Sequence, residues 1–123
     1  MDMQKILTEA AAKVGPSGQE MQVAEYFAEQ FRPLVDEVTV DNLFNVIAHK
    51  KGTGPRVALF AHMDEISLMV TAIEDDGSLR LGNVGGVDPR ILPASRVWVH
   101  GKERLFGTIG ALPPHLMSAA DRS

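Results

Sequence analysis

Apolar residues recur at helical spacing near the start of the chain, and after Ile66 they alternate in short runs divided by glycine turns. Ile6, Leu7, Ala10, Ala11 and Val14 share one face of a 3.6-residue repeat, which predicts a short helix over Met3 to Val14 ended by Gly15-Pro16. Ser17 opens a second helical pattern. Glu20 stands three residues later, the spacing of a capping box in which two side chains satisfy free amides at a helix start. Ala24, Phe27, Ala28 and Phe31 continue as a buried stripe to Arg32, and Pro33, which has no amide to donate, marks the stop.

Strand patterns follow. Val38-Thr39-Val40 and Asn45-Val46-Ile47-Ala48 flank an Asp41-Asn42 turn, and Gly52-Thr53-Gly54-Pro55 leads into Arg56 to Ala61. The apolar run Val57-Ala58-Leu59-Phe60-Ala61 predicts a central strand covered on both faces, with His62 beyond its carboxyl end, where open α/β sheets collect ligands. After Ile66 the pairs Leu68–Ile73 with Ser78–Leu81, and Arg96–Val99 with Leu105–Ile109, read as hairpins around Glu74-Asp75-Asp76-Gly77 and Gly101-Lys102, with no convincing helix. The expected fold class is therefore α/β: part of a core of helices plus a central strand over residues 1–66, then a small β-barrel-like module over 67–123.

Composition narrows the function classes. The 123 residues suffice for one ordinary domain that buries roughly two thirds of its unfolded surface. A formal net charge of -4 without a lysine-arginine cluster gives no case for nucleic acid. The absence of cysteine excludes disulfides and thiolate ligands and suits a cytoplasmic protein. Glu9 and Lys13 interrupt the apolar residues at the start, so neither a signal peptide nor a membrane span is expected.

The candidate chemistry lies in His62-Met63-Asp64-Glu65-Ile66. In a strand, residues two apart project from one face, so His62 can bind a metal through one ring nitrogen while Asp64 accepts the proton of the other, fixing tautomer and aim. That is one ligand, whereas catalytic zinc sites use about three and two-metal sites need further carboxylates. His49, His100 and His115 do not repeat the setting of His62. The chain thus carries a fraction of a site, the rest lying in a partner or in further sequence. Competing readings are a structural histidine at a strand end, a proton-transfer role for Glu65, and an Asp64-Glu65 glycosidase pair. The last is disfavoured because adjacent strand residues point to opposite faces. Gly85-Gly86 with Asp88-Pro89-Arg90 lacks the Gly-Lys-Ser/Thr of a phosphate loop and reads as a turn. Trp98 and Phe106 are expected to pack the small barrel, and His49 beside Lys50-Lys51 to face solvent.

Five ordered motifs extend the picture: Gly15-Pro16-Ser17-Gly18, Asp41 to Val46, Ala61 to Ile66, Asn83 to Arg90, and Gly107-Thr108-Ile109-Gly110 followed by Pro113-Pro114-His115. Together they resemble the N-terminal third of the tetrahedral aminopeptidases, a family of metallopeptidases that includes glutamyl aminopeptidases. The resemblance implies a peptidase core with an inserted β domain for dimerisation, two divalent ions (zinc or cobalt), peptide substrates and assembly of dimers into a dodecamer. His62 matches the first metal-binding histidine and Asp64 the aspartate that orients it. The bridging aspartate, the general-base glutamate and the other ligands fall beyond the matched region, so the resemblance implies that these 123 residues alone are an inactive fragment. A strand lacking its neighbours also predicts self-association. The alternative is a non-enzymatic oligomerisation or binding module in which His62 is a relic.

Overall fold

The computed structural model describes residues 2–111. The described residues divide into two compact units, which lie within Met1–Val87 and Asp88–Ser123. No helix among the described residues is long and apolar enough to cross a membrane.

In the first unit, helix α1 spans Met3–Ala11 and α2 spans Met21–Phe31. Asp2 caps α1 by accepting the Lys5 amide at 3.1 Å. The described buried apolar residues, Val23, Ala24, Tyr26 and Ala28, all lie on α2. Helix α2 contacts α1 and the hairpin of β1 (Glu37–Val40) and β2 (Val46–His49). The Tyr26 hydroxyl reaches α1 and donates to the Ile6 carbonyl, 3.3 Å away, while its oxygen lies 3.2 Å from Glu9 Oε2. The expected stripe is only partly buried, with Phe31 37% exposed at the end of the helix.

The capping box expected at Ser17 does not form. Glu20 occupies the N-cap of α2 without a side-chain cap, and its carboxylate instead accepts the Gly18 amide at 2.8 Å. Gly18 has a positive φ of 86°, so the chain turns there before the helix begins.

The strands expected on either side of Asp41-Asn42 form the antiparallel pair β1–β2, with Val40 opposite Val46. The Asp41 carboxylate accepts from the amides of Leu43 and Asn45 and from Asn45 Nδ2 at 2.8–2.9 Å. This cradle supports Phe44, a non-glycine residue at φ 62°. Strands β3 (Ser67–Ile73) and β4 (Leu79–Val84) form the second hairpin, with a bulge between Val70 and Ala72. Its tight turn places Gly77 at φ 83°.

Arg56–Ala61 departs from expectation. These residues form no strand, and Val57, Leu59 and Phe60 are 82%, 94% and 94% exposed. An apolar strand is stable when neighbours pair its edges and cover its faces, and among the described residues no segment does so here.

In the second unit, Pro89–Ile91 form a single 3-10 turn, and β5 (Arg96–His100) pairs with β6 (Arg104–Thr108). Arg90 donates through Nε and Nη2 to the Asp88 carboxylate, so its guanidinium is engaged within the turn. Trp98 and Phe106 face each other edge-on at 5.4 Å yet remain 52% and 57% exposed. They pair across a hairpin rather than filling a barrel interior. The described strands form three two-stranded sheets.

Candidate metal-binding site

The site is assembled from two segments far apart in sequence. Gly15-Pro16-Ser17 runs alongside Asp64-Glu65 as an isolated parallel bridge between Pro16 and Glu65. The Glu65 amide donates to the Gly15 carbonyl at 2.9 Å, and the Gly15 amide donates to Glu65 Oε1 at 3.2 Å. Gly15 stands where any side chain would have to displace a neighbour. A Cβ there would meet Val23 Cγ1 at 2.7 Å, and Val23 is itself buried on α2.

This bridge brings Ser17 to Asp64. The Ser17 hydroxyl donates to Asp64 Oδ2 at 2.6 Å, while Oδ1 lies 3.1 Å from His62 Nδ1. A carboxylate only accepts, so Nδ1 carries the proton, and in the neutral ring Nε2 is left bare for a cation. The Asp64 backbone carbonyl lies 3.2 Å from the same Nδ1 and supports the same tautomer. The Asp64 carboxyl is held below the usual aspartate range, first by the Ser17 hydroxyl and then by His62, since both bonds favour the charged form.

The His62 side chain is 87% exposed. Beside it an open cleft of about 250 Å³ is lined by Leu7 and Ala11 of α1, Phe27 of α2, and Lys13, Met63 and Glu65. The arrangement thus presents one aimed imidazole on an apolar cleft.

One donor does not complete a coordination sphere. No cluster of three or more His, Cys, Asp or Glu side chains suited to a metal occurs among the described residues. The donor chemistry fits a single first ligand with its orienting carboxylate and goes no further. His49, at the end of β2, and His100, at the end of β5, are exposed. His115 and the two prolines before it lie outside the described residues. Glu65 serves the Gly15 amide and Asp64 serves Ser17 and His62, so the adjacent acids hold the backbone and the imidazole and do not face a shared substrate.

Local spacing points to the His62–Asp64 contact but gives Ser17 the role of a helix cap. The partner of Ser17 is 47 residues away, and no local periodicity points across such a gap. The only available signal was that Gly15-Pro16-Ser17-Gly18 belongs to the same ordered motif series as the histidine segment.

A family model described as M42 glutamyl aminopeptidase matches residues 45–123. The lysyl aminopeptidase of Pyrococcus furiosus is 43% identical over 108 residues, which cover 86% of this chain and 31% of that protein. Among solved structures, an aminopeptidase from the archaeon Desulfurococcus kamchatkensis superposes with a TM-score of 0.86 at 36% identity, covering 93% of this chain and 33% of its own. The TET1 peptidase of Pyrococcus horikoshii, described as assembling into a tetrahedron or a large octahedral shell, matches with a TM-score of 0.80 at 37% identity, covering 99% and 37%. The chain spans about a third of the length of the relatives it matches.

Proposed function

Because the chain belongs to the M42 glutamyl aminopeptidase family, we propose that it forms about a third of a metal-dependent aminopeptidase that removes N-terminal residues from peptides. Residues 1–66 belong to the catalytic core in this reading, and residues 67–123 begin an inserted β-barrel-like domain that mediates dimerisation. Both described α-helices precede Ile66, and the described elements after it are the hairpins β3–β4 and β5–β6 with a single 3-10 turn, which favours that division.

His62 is the first metal ligand, through Nε2, and Asp64 is its orienting residue. The observation that carries the reading is the Asp64 Oδ1 to His62 Nδ1 contact of 3.1 Å on an exposed ring beside a cleft. The cofactor is a pair of divalent ions, zinc or cobalt, completed by ligands that this chain does not itself provide among its described residues. Such ions, when bound, polarise the scissile carbonyl and activate water. This chain's contribution is to set the position and tautomer of one imidazole. The protein acts in the cytoplasm as an oligomer, consistent with the assembly described for its Pyrococcus horikoshii relative.

Two expectations follow. Purified 1–123 alone does not turn over aminoacyl-anilide substrates, and turnover that disappears in His62→Ala would refute the fragmentary-site reading. Grafted in place of the corresponding third of the Pyrococcus furiosus lysyl aminopeptidase, the chain restores aminopeptidase activity. Asp64→Ala then lowers activity by roughly 10- to 100-fold and His62→Ala by more. An assembled graft whose activity survives His62→Ala would exclude His62 from the site.

A further inference from the structure

We propose that Ser17 is a positioning residue for His62: its hydroxyl pins one oxygen of Asp64 so that the other stays on Nδ1, holding the ring in the tautomer whose Nε2 is free. The inference rests on the reading of His62 as a ligand and extends it to a residue far away in sequence.

A carboxylate rotates broadly about its terminal torsion, and Asp64 is 39% exposed beside a ring that is 87% exposed. Between such groups a single contact is weak and competes with water. Ser17 changes this by occupying Asp64 Oδ2 at 2.6 Å, within the range of a short charge-assisted bond. Ser17 is held through its neighbours: the Glu65 amide donates to the Gly15 carbonyl, the Gly15 amide donates to the Glu65 carboxylate, and the Gln19 amide donates to the Pro16 carbonyl at 2.8 Å. Order therefore passes from the buried face of α2, through the close packing of Gly15 on Val23, to Ser17, Asp64 and the imidazole. No other described side chain binds Asp64 Oδ2. The position needs a hydroxyl, which serine or threonine supplies and alanine does not.

The test is long-range proton–nitrogen correlation on metal-free 1–123 labelled at histidine nitrogen, under alkaline conditions that keep the ring neutral. The expected result is a dominant Nδ1–H tautomer for His62, a severalfold fall in its ratio to the Nε2–H form in Ser17→Ala, and recovery in Ser17→Thr. The Gly15 and Glu65 amide signals should stay in place throughout. If Ser17→Ala disturbs those amides, Ser17→Cys, which keeps the volume with a weak donor, is expected to produce the same shift in tautomer. A wild-type tautomer ratio in the variant whose bridge is intact, with Asp64→Ala still shifting it, would overturn the proposal. That outcome leaves His62 free to be a ligand, because no metal enters the measurement. Failure of the ligand reading appears instead in the metal content of the assembled graft.

Discussion

Gly15 sets the geometry at the scale of single residues. With Val23 Cγ1 2.7 Å from where a Cβ would stand, Gly15→Ala must displace a buried β-branched side chain that has few alternative rotamers. The expected cost is about 1–3 kcal/mol, read as a lower urea midpoint at unchanged slope. An unaltered midpoint would mean that α2 yields freely and that the bridge to Glu65 is not clamped from below. At this scale His62 and Asp64 were legible, because two residues of one short segment suffice to suggest an oriented imidazole. Ser17 was not. Its spacing to Glu20 satisfies a local rule, and the hydroxyl follows a tertiary contact instead.

The hairpin elements were the most readable part of the chain, since turn residues and alternation are local signals. In β1–β2 the Asp41 carboxyl is held below its ordinary value, chiefly by Asn45 Nδ2 and then by the Asn45 amide. A depressed aspartate contributes its stability above the unfolded value of about 3.9 and loses it as pH falls through the lower folded value. Exchange at the Leu43 and Asn45 amides, corrected for intrinsic rates, is therefore expected to quicken only below about pH 4. Asp41→Ala should abolish that acid step and give fast exchange throughout, whereas an acid step that persists in the variant would assign it to another group. In β5–β6, Trp98 is the chain's one tryptophan and stacks edge-on against Phe106, so its fluorescence reports this hairpin. Phe106→Ala removes the pair and is expected to destabilise the hairpin by about 1 kcal/mol, lowering the midpoint of the Trp98 transition. Arg56–Ala61 shows where local reading ends. Its apolar run specifies a buried strand only if other segments supply pairing and cover, and no local pattern says whether they are present.

For the whole molecule, that same segment governs association. Val57, Leu59 and Phe60 leave apolar surface in water, so 1–123 is expected to self-associate at micromolar concentration. Phe60→Glu should shift sedimentation toward monomer; a wild-type chain that is already monodisperse and monomeric would remove the basis for this expectation. The α/β character was legible because helices and hairpins announce themselves in short windows. That His62 has no second ligand beside it was legible as well, since no other histidine repeats its setting; where the remaining ligands stand was not, because a coordination sphere is defined by convergence in space. If His62 Nε2 holds one of two catalytic ions, metal analysis of the assembled graft reads it out. Two divalent ions per protomer with His62 present, and no more than one in a folded His62→Ala variant, is the predicted result. Two ions retained after His62→Ala would contradict it.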